Sequence, residues 1–278
     1  MTTARVALCQ LRTPATQGAA LAHAEPLIRQ AAADGAALIV TPEGSNLLQR
    51  DRARLMQAIQ PLEADSFVVG VRALAAELKV AILIGSALVR RDDGQCANRE
   101  VLVGPDGAIV ATYDKIHMFD VDLPTGERHR ESSLYTPGER AVIAPSPIGA
   151  LGLTVCYDVR FPGLFAALAR AGAVAISVPA AFTRPTGEAH WETLLRARAI
   201  ETGAYILAAA QGGLHEDGRG TWGRSMIIGP WGQVLARADD DEPQVIAADI
   251  AADEVMKARA SIPNLVNGRD YAAPEPAA

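Results

Sequence analysis

Three residues that could carry out nucleophilic chemistry each lie just beyond a short apolar run. They are Glu43 in ALIVTPEGS, Lys115 in AIVATYDKIH and Cys156 in GLTVCYDVRFP, and each run predicts a β-strand. Sites of α/β sheets commonly form at these strand ends. A free thiol has a pKa of about 8.5, so a cysteine nucleophile needs a neighbouring base or cation at neutral pH. Taken singly, each residue suits a structural role, but the three together predict a site for acyl transfer.

The roles within this group follow from the residue types. Glu43 could take the proton of Cys156, and Lys115 could stabilise the charge that develops on a carbonyl oxygen. The chain must turn from strand to helix after Cys156, and Pro162 suits an early helical position. The backbone N–H of Tyr157 at this turn is therefore a candidate oxyanion donor.

Competing chemistries have weaker support in the sequence. Among the histidines, His117 and His190 have the most suggestive surroundings, but neither has a flanking pattern that assigns it as a base. No metal-binding spacing such as H-E-x-x-H appears, and the three cysteines include no C-x-x-C pair. The segment GLHEDGRG lacks a phosphate-binding fingerprint and is predicted to be a loop, while RARAIE is predicted to be a solvated helix face. We expect no metal.

Composition limits the class of protein. The chain has 278 residues, of which 49% are hydrophobic and 21% charged, as is typical of a globular protein. The net charge is −6 without a basic run, which argues against a nucleic-acid partner. No signal-peptide pattern and no long apolar segment is present, so no membrane association is expected. These features predict a cytoplasmic protein with reduced cysteines.

Short apolar runs alternate with helical patterns, which predicts an α/β or α+β fold. Strands are expected at Arg5–Leu11 and Ala36–Val40, with a helix between them that contains Pro26 and ends at Gly35. A helix over about 64–79 leads to a strand that starts at Val80. Further strands and helices are predicted in GLTVC, FPGLFAALARAG, AVAISV, AHWETLLRARAIETG and AYILAAA.

Two segments repeat one pattern, and two others lack a regular period. VLVGPDGAIVA and IIGPWGQVLA each have G-P-x-G between apolar runs, which indicates β-hairpins and, as a sharper hypothesis, two similar half-sheets packed face to face. The segment Ile116–Arg140 is too long for an ordinary connection, so we expect an ordered functional loop. The residues after Ala260 are rich in Pro and Ala and are predicted to form an extended arm.

Six blocks of the sequence together resemble a known family. The blocks TPEGS, YDKIHMFDVDLP, ESSLYTPG, LTVCYDVRFPGL, TGEAHWETLLRARAIE and MIIGPWGQVLA are similar, in order, to the Nit amidase branch of the nitrilase, or carbon–nitrogen hydrolase, superfamily. The resemblance implies a four-layer α-β-β-α sandwich, which we expect as a single domain over residues 1–260. The Pro- and Ala-rich composition predicts that residues 261–278 form a partly disordered arm. It also implies a homodimer or higher homo-oligomer and no cofactor.

The resemblance assigns the site as well. The family's Glu–Lys–Cys triad falls on Glu43, Lys115 and Cys156, and its second glutamate falls on Glu131 in ESSLYTPG. The implied reaction is hydrolysis of a small amide through a Cys thioester, with Glu131 positioning Lys115 or the substrate. A catalytically silent scaffold is the alternative from another class, but the four filled positions disfavour it.

Within the branch, the blocks look most like the deaminated glutathione amidases, with the ω-amidases as near alternative. Nitrilase and N-carbamoyl hydrolase activities use the same triad. An acidic substrate would require a cation, and Arg160 is the candidate, although it could instead brace its turn. Phe182 and Thr186 are expected to line the same pocket. The sequence departs from the branch pattern at Arg224, where histidine is usual, and at Gly229, where aspartate is usual.

Overall fold

The structure is a computed structural model that describes residues 3–123 and 126–274. Its strands are β1 Thr3–Gln10, β2 Leu38–Val40, β3 Ala81–Arg90, β4 Cys96–Val103, β5 Ile109–Asp114, β6 Asp120–Asp122, β7 Arg128–Arg130, β8 Val142–Ser146, β9 Gly149–Leu153, β10 Ala175–Ser177, β11 Tyr205–Ala208, β12 Gly212–Leu214, β13 Gly220–Trp222, β14 Met226–Ile228, β15 Val234–Arg237 and β16 Gln244–Ala251. Its α-helices are α1 Gln17–Ala33, α2 Arg52–Ala58, α3 Ser66–Leu78, α4 Pro162–Arg170, α5 Arg184–Thr202, α6 Ala252–Ser261 and α7 Asn264–Asn267.

Two six-stranded sheets dominate the molecule, with strand orders β16-β1-β2-β3-β4-β5 and β15-β14-β11-β10-β9-β8. The inner strands of each sheet pair in parallel, and antiparallel strands flank them. Parallel neighbours need a crossover connection, which α1, α3, α4 and α5 supply. The predicted strands and helices are confirmed, and α1 continues through Pro26.

Alternation along the strands creates separate packing layers. In β1, Val6 and Leu8 pack in the core cluster that contains residues of both sheets, whereas Ala7 and Cys9 pack with α1 and α3. On the other side, α4 and α5 bury Phe165 and Trp191 with the second sheet. The result is the predicted four-layer α-β-β-α sandwich. Within the described ranges, no helix is long and apolar enough to cross a membrane.

The two G-P-x-G segments form equivalent hairpins, one in each sheet. Gly104 N–H donates to Ala108 and Gly107 N–H to Gly104, and the β14–β15 turn repeats both hydrogen bonds at Gly229 and Gly232. Gly107 and Gly232 have φ of 79° and 84°, which an L side chain rarely adopts. The hypothesis of two similar half-sheets packed face to face is therefore confirmed.

The long segment Ile116–Arg140 is ordered where the structure describes it. It contains β6, β7 and a 3₁₀ helix at Glu131–Ser133, while Pro124 and Thr125 lie outside the described residues. The chain after Ala260 is not extended throughout, because α7 forms a helical turn there. The expectation for the last four residues, 275–278, lies outside the described part of the chain.

One buried acid in the space between the sheets is a source of pH dependence. Glu100 on β4 is 0% exposed, and neither of its oxygens accepts a hydrogen bond of good geometry from the described residues, although Ser177 is near enough to oppose the effect of burial. Burial, reinforced by the charge of Asp158, raises the pKa of Glu100 well above its ordinary value. The folded protein therefore keeps a proton that the unfolded chain loses once the pH exceeds the usual carboxyl pKa.

We expect Glu100→Gln to stabilise the protein increasingly as the pH rises. Between the unfolded and folded pKa values of Glu100, the wild type loses about 1.4 kcal/mol of unfolding free energy per pH unit relative to a neutral residue. Urea unfolding of both proteins from pH 5 to pH 9 measures this difference. The exposed Glu139→Gln is the matched control. A difference that does not change with pH would contradict a neutral Glu100.

Candidate active site

A cavity of about 390 Å³ opens at one end of the two sheets. Glu43, Lys115, Glu131 and Cys156 all line it. Glu43 follows β2, Lys115 follows β5 and Cys156 follows β9, so the positions just beyond three predicted strands do converge. Residues that are up to 113 positions apart in the sequence therefore form one cluster of side chains.

Lys115 lies at the centre of this cluster. Its Nζ donates to Glu43 Oε1 at 2.9 Å and to both oxygens of Glu131 at 2.9 and 2.8 Å. Its side chain is 1% exposed, and burial alone would lower the pKa of an ammonium group. The charges of Glu131 and Glu43 outweigh burial and hold the pKa of Lys115 well above its ordinary value. Lys115 is therefore a fixed, buried cation.

The Glu43 carboxylate is held in place by donors on both oxygens. Oε1 accepts from Lys115 and from Asn98 Nδ2 at 2.9 Å, and Oε2 accepts from the backbone N–H of Ala181 at 2.9 Å. Burial opposes ionisation, but the charge of Lys115 and hydrogen bonds from Cys156, Lys115 and Asn98 lower the pKa of Glu43. Glu43 is consequently ionised and oriented beside the thiol.

Cys156 begins a 3₁₀ helix, Cys156–Arg160, in a conformation unusual for a residue with a side chain. Its φ is 50°, and its N–H donates to the carbonyl of Pro179 at 2.8 Å. Such left-handed non-glycine residues are strained and concentrate at functional sites. Burial, together with the neighbouring Glu43 charge, raises the pKa of the Cys156 thiol well above its ordinary value. The site therefore rests as a neutral thiol beside an ionised carboxylate.

The turn that carries Cys156 is braced by Asp158. This fully buried carboxylate accepts from Val155 N–H at 2.9 Å, Tyr113 Oη at 2.8 Å and His117 N–H at 3.1 Å. His117 Nδ1 lies 2.7 Å from the same carboxylate. The ring and the backbone N–H of His117 both contact Asp158, so His117 helps to brace this turn.

The burial of Arg198 on α5 contradicts one prediction from the sequence. The segment RARAIE was expected to be a solvated face of α5, but Arg198 is 6% exposed. Its Nε donates to the Val159 carbonyl at 2.7 Å, and its guanidinium also pairs with Glu201. A charged side chain of this length can be buried when its donors are satisfied, and here it fixes the 3₁₀ helix of Cys156.

Asn98 is a site residue that the sequence analysis missed. Its Nδ2 donates to Glu43 at 2.9 Å and to Glu131 at 3.0 Å, and its Oδ1 accepts a short hydrogen bond from Ser86. The backbone carbonyl of Asn98 also accepts from Lys115 N–H. The available signal was weak, because Asn98 is one of three consecutive polar residues in β4, with Arg99 and Glu100, and shares a face with Leu102.

The predicted substrate-binding residues Tyr157, Arg160, Phe182 and Thr186 all line the cavity. Phe182 packs against Trp191, with ring centroids 4.8 Å apart, and the Thr186 hydroxyl lies 2.8 Å from that of Thr183. Among the described residues, no carboxylate pairs with Arg160. The segment GLHEDGRG proves to be the β12–β13 hairpin, and its residues Gly218, Arg219 and Gly220 also line the cavity.

The two departures from the family pattern lie outside this cavity. Arg224 has φ of 59°, its guanidinium stands over Trp222, and it lines a separate pocket of about 330 Å³. Gly229 begins the β14–β15 turn. Among the described residues, no group of three or more His, Cys, Asp or Glu side chains could hold a metal ion. The structure thus brings Glu43, Lys115 and Cys156, the three residues predicted for acyl transfer, together in one cavity.

Comparison with known proteins gives the family of this site. The carbon–nitrogen hydrolase family model matches residues 5–260. The chain belongs to the carbon–nitrogen hydrolase family. It is 44% identical over 247 residues to the deaminated glutathione amidase of Yersinia enterocolitica, covering 86% of this chain and 84% of that protein. The protein is therefore an amidase-type carbon–nitrogen hydrolase of the nitrilase superfamily, as the resemblance implied.

Solved structures of this family agree with the fold. The C. elegans NitFhit protein is 31% identical, with a TM-score of 0.89 over 96% of this chain and 65% of that chain. An amidase from Nesterenkonia sp. AN1, solved after Michael addition of acrylamide at its active-site cysteine, is 26% identical with a TM-score of 0.77. That match covers 93% of this chain and 98% of the amidase. The nitrilase-type four-layer fold is thereby confirmed.

Proposed function

We propose that this hydrolase converts a small carboxylate-bearing amide to the acid and ammonia through a Cys156 thioester. The observation that carries the proposal is the buried cluster in which an ionised Glu43 lies beside the Cys156 thiol, with the Lys115 cation held between Glu43 and Glu131. This arrangement supplies a nucleophile, a base and a fixed positive charge in one cavity, which together suit acyl transfer.

The first half-reaction forms the thioester. Glu43 takes the thiol proton as Cys156 Sγ attacks the amide carbonyl carbon, and a tetrahedral oxyanion results. Lys115 Nζ and the backbone N–H of Tyr157, at the start of its 3₁₀ helix, stabilise that oxyanion. Glu43 then gives the proton to the nitrogen, the C–N bond breaks, and ammonia leaves.

The second half-reaction consumes water. Glu43 takes a proton from a water molecule, whose oxygen attacks the thioester carbonyl, and the C–S bond breaks as the proton returns to Cys156 sulfur. Glu131 acts by positioning Lys115 through two hydrogen bonds and does not exchange protons in this scheme. Each group ends the cycle in its starting protonation state.

The substrate class follows from the cavity wall and from the relatives. Five arginines line the cavity of a chain whose net charge is −6: Arg50, Arg128, Arg130, Arg160 and Arg219. Arg160 lies four residues beyond Cys156, so we assign it to a substrate carboxylate, with Phe182 and Thr186 lining the same space. The relatives named deaminated glutathione amidase make deaminated glutathione the first candidate, with 2-oxo-dicarboxylate monoamides as the second.

Ammonia release tests this assignment. We expect the purified protein to hydrolyse deaminated glutathione with a kcat/KM at least tenfold above that for propionamide, with 2-oxoglutaramate between them. The three amides share the scissile group and differ in their carboxylates. Hydrolysis of propionamide alone would refute the acidic-substrate assignment, and release of ammonia from nitriles or N-carbamoyl compounds in preference to amides would assign a different C–N bond.

The oligomeric state and the cellular location of the protein are also proposals. We propose a homodimer or larger homo-oligomer of one hydrolase domain over residues 1–260, with residues 261–278 as a C-terminal arm. A cytoplasmic location suits the proposed catalytic thiol, which must stay reduced, and the three free cysteines. Sedimentation of the purified protein tests the assembly, since a concentration-independent monomer would exclude it.

A further inference from the structure

The guanidinium of the half-buried Arg160 contacts an exposed histidine. Both of its terminal nitrogens lie 3.3 Å from Nδ1 of His190, and the guanidinium carbon lies 5.8 and 5.5 Å from the ring centroids of Tyr157 and Phe182. His190 lies in the second turn of α5, which begins at Arg184. Two rings and one imidazole therefore surround the guanidinium.

We propose that His190 is a positioning residue that aims Arg160 at the substrate carboxylate and so determines specificity for acidic amides. This inference rests on the proposed role of Arg160. Arg160 ends the 3₁₀ helix that Cys156 begins, so fixing its guanidinium fixes the distance between the bound carboxylate and the nucleophile.

The protonation state of the contact follows from its chemistry. A guanidinium can only donate, so His190 Nδ1 must accept, and the imidazole is neutral with its proton on Nε2. The two hydrogen bonds occupy the N–H groups at the end of the guanidinium fork. The Nε edge of the guanidinium stays available, and it presents two parallel donors that match a carboxylate.

A neutral acceptor suits this role better than a carboxylate would. An Asp or Glu at the position of His190 would cancel the charge of Arg160 and compete with the substrate for the same donors. The imidazole restrains the guanidinium and leaves its full positive charge for the ligand. Restraining a long, rotamer-rich side chain before binding reduces the entropy lost when the substrate binds.

Three variants test the inference with deaminated glutathione and propionamide as substrates. His190→Leu removes the acceptor, His190→Asn retains an acceptor oxygen near the place of Nδ1, and Arg160→Gln removes the cation. We expect His190→Leu to raise KM for deaminated glutathione about tenfold with kcat within twofold of wild type, and to leave both constants for propionamide unchanged. His190→Asn should restore the wild-type KM. Ala189→Leu, at the neighbouring exposed residue, is the matched control.

The outcomes separate this inference from the proposed function. If Arg160→Gln raises KM for the acidic amide and His190→Leu does not, the positioning role is wrong while the acidic-substrate assignment stands. If neither variant changes KM, both are wrong. An equal rise in KM for both amides, or a failure of His190→Asn to restore KM, would show that His190 serves only the packing of α5.

Discussion

Replacement of Cys156 by alanine is expected to abolish ammonia release, with a loss in kcat of at least about 10⁴-fold. The proposed reaction forms its intermediate on Cys156 sulfur, and no other thiol lines the described cavity. Enzymes that lose their nucleophile keep only the modest rate that substrate binding and oxyanion donors provide. Intact-mass measurement during turnover should show an acyl adduct on the wild type and none on Cys156→Ala.

The other cysteines provide the control for this result. Cys9 is fully buried in β1, and burial raises the pKa of its thiol to about 12, so it is an inert packing residue. Cys96 packs with Leu47 and Tyr135 in a separate cluster. Cys96→Ala should therefore retain wild-type kcat. Full activity of Cys156→Ala, or an adduct that persists in it, would contradict the thioester mechanism.

The fold and the clustering of Glu43, Lys115 and Cys156 were predictable because each depends on short-range patterns in the sequence. Apolar runs bounded by Gly and Pro locate the strands, and a reactive residue just beyond a run is visible without any knowledge of its neighbours. The repeated G-P-x-G turns indicated the pseudo-symmetry of the sheets. Glu131 differs, because it lies in a segment with no regular period, and only the resemblance to the family assigned it to the site.

The residues that sequence could not find are those whose role depends on a distant partner. Asn98 contacts Glu43, 55 positions away, and Glu131, 33 positions away. Asp158 connects the turn of Cys156 to Tyr113 and His117. Arg198 was predicted to be exposed to solvent, because charged residues on helices usually are. Nothing local distinguishes such residues from ordinary polar positions, since burial and hydrogen bonding are decided by tertiary packing.

The balance of charge in the cluster explains why Cys156 is a neutral thiol before the substrate binds, although the neighbouring Glu43 is already ionised. Two carboxylates face one ammonium, so the neighbourhood of Cys156 disfavours a thiolate until the substrate carbonyl accepts electron density. In the proposed mechanism, the negative charge then moves from Glu43 to an oxyanion beside Lys115. The thiol is thus protected from unwanted reaction while the base that activates it is already ionised.

Glu43→Gln is expected to reduce kcat by about 10³- to 10⁴-fold, at the upper range for loss of general acid–base catalysis. Glutamine is nearly isosteric, and its oxygen can still accept from Lys115 and Asn98. It cannot take a proton, and its NH₂ group faces the N–H donor of Ala181 in place of Glu43 Oε2.

The pH profile distinguishes loss of the base from loss of structure. The charge of Lys115 and the hydrogen bonds to Glu43 outweigh burial and lower the pKa of Glu43. The wild-type base therefore stays ionised at neutral and mildly acidic pH. We expect kcat of the wild type to be nearly constant from pH 6 to pH 8. In Glu43→Gln the thiol must ionise alone, and burial raises its pKa. Residual activity should then increase about tenfold per pH unit over the same range. A variant profile as flat as that of the wild type would exclude Glu43 as the base, because proton removal from Cys156 would then depend on another group.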